Sequence, residues 1–108
     1  MFTKGTEEGY IQVSPGIFRK TLVSGKRTLL TEFRLKKGAD LPLHSHPHEQ
    51  TGYLVSGRMI LTIGNEVDEM QKGDSWMIPG NVPHRATILA DSVAVEIFSP
   101  VRENYFQE

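Results

Sequence analysis

The chain has 108 residues, of which 38% are hydrophobic and 23% charged, as expected for one globular domain spanning residues 1–108. Its formal net charge is −1 and its basic residues are scattered, which argues against nucleic acid or an anionic membrane as a partner. It has no cysteine, which excludes disulfides, thiolate metal sites and a cysteine nucleophile. Since it has neither a long apolar run nor the apolar core of a signal peptide, we expect a cytoplasmic protein.

Short alternating or β-branched stretches, separated by turns rich in glycine and proline, predict ten strands and an all-β fold. They cover residues 10–13, 17–23, 27–35, 41–46, 50–56, 58–63, 66–71, 75–78, 83–89 and 92–99. Gly57 is the expected corner between the fifth and sixth strands, and Ala90-Asp91 separates the last two. The tail after Pro100 is either a short helix or extended. Strands of this number, closed into a sandwich or barrel, avoid exposed edges.

The densest chemical feature is the run from His44 to Gln50, which holds three of the four histidines. His44 and His46 are two residues apart on a predicted strand, so they point to the same face. His84 starts another strand. Neutral imidazoles on one face are ready ligands for a divalent ion, so the three predict a metal inside the barrel. The alternative is that they are surface residues near a loop, which is how we interpret His48.

The last predicted strand has two different faces. One is aliphatic and suits a core or an interface: it carries Val93, Val95 and Ile97. The other carries Glu96 between Ala94 and Phe98, so Glu96 faces either solvent or the barrel interior. A carboxylate in a partly apolar cavity has a raised pKa and suits general base catalysis. Arg102 either reaches over the barrel mouth or lies in water.

The spacing of these residues resembles the cupins. Their first motif is Gly, five residues, His-x-His, three or four residues, Glu, six residues, Gly; their second is Gly, five residues, Pro-x-Gly, two residues, His, three residues, Asn. In this chain the motifs correspond to Gly38–Gly57 and Gly73–His84. The resemblance implies a single cupin domain, a jelly-roll (double-stranded β-helix) barrel. It also implies one divalent ion bound by His44, His46, Gln50 and His84.

Three positions depart from these motifs. Gln50 replaces Glu, and its neutral amide oxygen would leave the ion its full charge, which favours an anionic substrate. Gln50 either binds the ion directly or bonds to a metal-bound water. Asn81 replaces Gly, which is tolerable because Asn enters left-handed conformations readily, and Ile88 replaces Asn and is expected in the core. Nitrogen and oxygen ligands leave the metal open among Mn, Fe, Co, Ni and Zn.

Within the cupins, this chain resembles the KdgF-type pectin-degradation proteins. They share its His-Ser-His-Pro-His…Gln pattern, and their terminal Asp-x-Phe-Ser-Pro-x-Arg-Glu-Asp-Phe is similar to the run beginning at Glu96. That group linearises 4,5-unsaturated monouronates, the products of pectin and alginate lyases, into the open-chain keto form. The resemblance implies a small anionic substrate, an isomerase or lyase type of reaction, and active-site roles for Glu96, Phe98 and Arg102. Glu96 is one methylene longer than the Asp of the group.

Two other functions remain open from the sequence. An Fe(II)-dependent cupin dioxygenase would use the same ligands and act on phenolic or thiol substrates in air. A non-catalytic cupin would bind a small ligand saturably without turning it over. Small cupins commonly dimerise, so together with the aliphatic face of the last strand the resemblance predicts a homodimer. Trp76 and Ile78 are expected to pack together on one face.

Overall fold

The computed structural model describes residues 1–102, so most of the tail after Pro100 lies outside the described residues. This part of the chain is all-β, as predicted, and contains no helix that could cross a membrane. Its eight strands are β1 (Ile11–Ser14), β2 (Ile17–Ser24), β3 (Leu29–Leu35), β4 (Asp40–His44), β5 (Glu49–Ile63), β6 (Glu66–Gln71), β7 (Ser75–Ile78) and β8 (His84–Ser99).

The prediction of ten strands was wrong because two predicted pairs are continuous strands. Residues 50–56 and 58–63 belong to β5, and residues 83–89 and 92–99 lie almost entirely in β8. The chain bends at Gly57 and Ala90-Asp91 without leaving the sheet, because β5 and β8 pair with each other along almost their whole length. Residues that bend a strand and residues that end one give the same local signal in a sequence.

The bends let β5 and β8 contribute to two sheets. One sheet has the order β1-β2-β3-β8-β5-β7 and uses the C-terminal half of β8 with the N-terminal half of β5. The other has the order β4-β8-β5-β6 and uses the opposite halves. Both ends of β8 therefore supply residues to the same barrel interior.

Side chains alternate inward and outward along these two strands in different ways. The buried residues of β8 are all even-numbered. In β5 they are even-numbered up to Leu54 and odd-numbered from Met59 onward. Between them Gly57 has a φ of 100° and lies so close to Ser92 that a side chain would overlap it. Gly57 therefore forms a β-bulge that bends the strand and shifts its alternation by one residue.

The barrel interior is mostly apolar. Its fully buried large side chains include Phe98, Ile17, Leu29, Leu54 and Ile88, so the expectation that Ile88 packs in the core is confirmed. Asn81 has a φ of 66°, the left-handed conformation expected at the position of the motif glycine. The buried polar residues within residues 1–102 are Arg19, Thr31, His46, Gln50, His84, Ser92 and Glu96, and four of them, Arg19, Gln50, His84 and Glu96, line one cavity.

Candidate active site

Three histidines lie close together, with His46 and His84 buried in the barrel and His44 exposed. His44 ends β4 and pairs with His84 at the start of β8, while His46 lies just before β5. Each offers a ring nitrogen, and these atoms all lie within 4.8 Å of one another. The ring centroids of His44 and His46 are 4.2 and 5.0 Å from that of His84. This histidine cluster could hold one metal ion.

A backbone carbonyl two residues away along the chain orients each ring. The Nδ1–H groups donate over 2.8–3.0 Å, in the pairs His44 to Pro42, His46 to His48 and His84 to Val82. A neutral imidazole that donates from Nδ1 carries its lone pair on Nε2. The carbonyls therefore select the tautomer that a metal site requires.

The surroundings of Nε2 of His84 show whether the three histidines are suited to bind a cation. It is buried and has no hydrogen-bond partner among residues 1–102. Burial lowers the pKa of His84 and of His46 below the usual histidine value, so both rings keep the lone pair at neutral pH. A buried lone pair without a hydrogen-bond partner, beside two other imidazoles, has the chemistry of a metal ligand. The donor set fits a divalent transition metal.

Gln50 connects the histidine cluster to a buried carboxylate. Its side-chain nitrogen donates to Oε1 of Glu96 over 2.6 Å, and its Oε1 lies 3.0 Å from Nε2 of His46. Because Nδ1 of His46 is the donor, that Nε2 and the amide oxygen face each other as two acceptors, an arrangement that a shared cation stabilises. A Glu at this position would put two carboxylates in contact. The Gln that departs from the cupin motif is therefore matched to Glu96.

Trp76 reaches the same carboxylate from two strands away. Its indole N–H donates to Oε1 of Glu96 over 2.8 Å. Gly52 on β5 pairs with Glu96 on one side and Trp76 on the other, and a Cβ at Gly52 would overlap the indole. The missing side chain lets the ring cross β5. We call Gln50, Trp76 and Glu96 the carboxylate cluster.

The electrostatics of Glu96 follow from its burial. Burial raises the pKa of Glu96, while the hydrogen bonds from Gln50 and Trp76 and the charge of Arg102 act in the opposite direction. A raised pKa makes the ionised carboxylate a stronger base. Of the two orientations that the sequence allows for Glu96, the structure has the one facing the interior.

A cavity of about 180 Å³ joins the two clusters. Phe98 packs edge-on against His46 with ring centroids 5.9 Å apart, and the guanidinium carbon of Arg102 lies 5.2 Å from the Phe98 centroid. The predicted site residues that line the cavity are His44, Gln50, His84, Glu96, Phe98 and Arg102. His46 contacts three of them, Gln50, His84 and Phe98. The side chain of His48 is not part of the histidine cluster, but it is half-buried with its Nδ1 covered, whereas we expected a surface residue.

The sequence missed three residues of this site. It indicates only that Trp76 packs beside Ile78, and it gives no role to Gly52 or to Arg19, which also lines the cavity. A glycine inside a strand does signal that another group approaches closely. Which group approaches depends on strand pairing, and no local pattern shows that Trp76 lies opposite Gly52.

Comparison with known families identifies the family to which this chain belongs. The family model described as Cupin domain matches residues 31–99. The chain belongs to the cupin family. The predicted cupin barrel is thereby confirmed, while the limits of the domain at residues 1 and 108 stay a prediction.

Two solved cupins are similar over almost the whole chain. KdgF from Halomonas sp. is 29% identical with a TM-score of 0.91, and the match covers 96% of each chain. An RmlC-like cupin from Shewanella frigidimarina is 26% identical with a TM-score of 0.91, covering 96% of this chain and 94% of that one. The resemblance to the KdgF-type cupins is confirmed at the level of structure.

Two curated relatives match more locally. An uncharacterised protein of Methanocaldococcus jannaschii is 33% identical over 81 residues, which are 70% of this chain and 65% of the relative. Oxalate decarboxylase OxdC of Bacillus subtilis is 33% identical over 63 residues, which are 54% of this chain and 16% of the relative. This cupin thus matches less than two thirds of the length of either relative.

Proposed function

We propose that this cupin is a metal-dependent enzyme of isomerase or lyase type that opens and ketonises 4,5-unsaturated monouronates. One observation carries the proposal: Gln50 touches both His46 and Glu96, so a buried base lies beside a cluster suited to a metal. A base next to a positive centre suits the removal of a proton from an anionic sugar. The substrate class rests on the likeness to Halomonas KdgF and on the terminal run beginning at Glu96.

The histidine cluster would hold one divalent ion, Mn, Fe, Co, Ni or Zn, with the amide oxygen of Gln50 as a fourth ligand. When bound, the ion supplies positive charge that attracts the substrate and stabilises developing negative charge. A solved structure of B. subtilis oxalate decarboxylase concerns its Mn(II) centres. Mn(II) is therefore among the first ions to test in this cupin.

The reaction needs no co-reactant. The uronate closes its ring through a hemiacetal, and Glu96 takes the proton of the anomeric hydroxyl. The bond between the anomeric carbon and the ring oxygen then breaks, so that the anomeric carbon becomes an aldehyde and the electron pair forms an enolate at C5. Return of that proton from Glu96 to C4 completes the ketone and restores the ionised carboxylate, so no proton is gained or lost overall. Arg102 holds the substrate carboxylate and Phe98 shapes the cavity.

A lyase-coupled assay tests this function. The unsaturated uronate absorbs in the ultraviolet, and we expect the metal-loaded protein to accelerate loss of that absorbance over a chelator-treated sample. The proposal fails if the protein, loaded in turn with each of the five metals, gives no acceleration. Oxygen uptake with iron and phenolic or thiol substrates would instead favour the dioxygenase. Saturable uronate binding without turnover would favour a binding protein.

We also propose that the chain forms a homodimer through the outer face of the larger sheet. Val95 and Ile97 face outward beside Tyr53 and Leu30 on neighbouring strands. Ile97 is 44% and Tyr53 48% exposed, so the apolar patch crosses β3, β8 and β5. Burying such a patch against a second copy stabilises a two-fold assembly.

A further inference from the structure

The two oxygens of Glu96 have different surroundings. Oε1 accepts hydrogen bonds from Gln50 over 2.6 Å and from Trp76 over 2.8 Å. Oε2 accepts none from the described residues, and Glu96 lines the cavity. Two donors on one oxygen fix the plane of the carboxylate, because rotation about its terminal bond would break both contacts. Only Oε2 is then available to a substrate.

We propose that Trp76 is a positioning residue for the reaction: its indole N–H holds Oε1 of Glu96 so that Oε2 faces the cavity and takes the proton. This inference rests on the proposed function. Gln50 donates to the same Oε1 from the other side of its contact with His46, and Trp76 supplies the second donor that fixes the carboxylate plane. Within residues 1–102, the indole N–H of Trp76 donates to Glu96 alone.

The row Glu96–Gly52–Trp76 across three strands supports a specific role. A glycine inside a strand is destabilising relative to alanine, and here its bare backbone gives the indole the space to cross β5. Simple packing does not require this arrangement, because an alanine on β5 beside a shorter apolar residue on β7 would fill the same row. The contact that requires the space left at Gly52 is the hydrogen bond from the indole N–H to Glu96.

The chain contains a single tryptophan, so replacing tryptophan throughout the protein changes only Trp76. β-(3-Benzothienyl)alanine keeps the shape of the indole but has sulfur in place of N–H. Protein containing 5-fluorotryptophan, which keeps the N–H, is the matched reference. We expect the benzothienyl protein to have a kcat about tenfold lower than the reference, with the same KM and metal content. Equal kcat values would overturn the positioning role.

A second measurement does not depend on turnover. The single indole N–H gives one cross-peak in a proton–nitrogen spectrum, and a hydrogen bond to a carboxylate moves it downfield. We expect Glu96→Gln to move that peak upfield, whereas Glu66→Gln, on the exposed strand β6, should leave it in place. A peak unchanged by Glu96→Gln would rule out the contact. If uronates are not turned over but the peak moves, the proposed function fails while the positioning of Glu96 by Trp76 is supported.

Discussion

The histidine cluster and the carboxylate cluster share one cavity, but different kinds of contact hold them. Each histidine is oriented by a carbonyl only two residues away in the chain. Glu96 is held by Gln50 and Trp76, which are 46 and 20 residues away. The orientation of each imidazole needs only correct local backbone, with the pairing of β4 and β8 to bring His44 to His84. The position of Glu96 instead needs the pairings of β5 with both β7 and β8 in register. Metal binding and base positioning should therefore respond separately to mutation.

The largest expected effect is on the carboxylate cluster. Glu96→Gln keeps the size of the side chain but removes the base, so we expect the rate to fall by roughly 10²–10⁴-fold. Metal content should not change, because the histidines are oriented by their own carbonyls. The lyase-coupled assay and elemental analysis measure the two quantities on the same sample. A wild-type rate in this variant would show that Glu96 is not the base.

The converse change is His84→Ala, which removes a ligand from the histidine cluster and leaves the carboxylate cluster intact. We expect metal affinity to fall at least about 100-fold, because loss of one of the four proposed ligands should cost more than loss of a group that only orients a ligand. The matched control is His48→Ala, which removes only a side chain and keeps the carbonyl that orients His46. Metal titration followed by calorimetry compares the two. Equal affinity in both variants would remove His84 from the metal site.

A smaller effect is expected at Gly52. The added methyl group of Gly52→Ala would overlap the indole of Trp76, so we expect a loss of about 1–3 kcal/mol in the free energy of unfolding. The rate should fall as the indole moves away from Glu96, while metal affinity stays the same. Gly25→Ala, in a turn where a Cβ meets only ordinary contacts, is the control for stability. A loss of metal affinity with Gly52→Ala would mean that the two clusters are not independent.

A substitution on the outer face of the larger sheet is expected to have the smallest effect on the site. Ile97→Glu puts a charge into the apolar patch on β8, so the proposed dimer should dissociate while the monomer retains metal. Light scattering at micromolar concentration gives the mass of each protein. A wild-type protein that is already monomeric under those conditions would contradict the homodimer.

The same contrast explains what the sequence could predict. The His-x-His spacing and the turn before His84 are local, so the motif predicts three imidazoles that the structure does bring together. Glu96 could be placed only through the resemblance of the terminal run, because alternation allows either face. Trp76 could not be found, since its contact depends on β5 pairing with both β7 and β8. The sequence predicted ten strands instead of eight for a similar reason: whether a strand continues through a bend depends on its pairing with another strand, here β5 with β8.

The uninterrupted alternation of β8 limits how this cupin can change in length. His84 and Glu96 face the same cavity only while an odd number of residues separates them, and here eleven do. Inserting one residue at the Ala90-Asp91 bend would turn either the ligand or the base outward, whereas inserting two would keep both inside. The hairpin at Gly64-Asn65 has no such constraint. In a comparison of cupins of this type, insertions and deletions should be free in that hairpin and occur in pairs within β8.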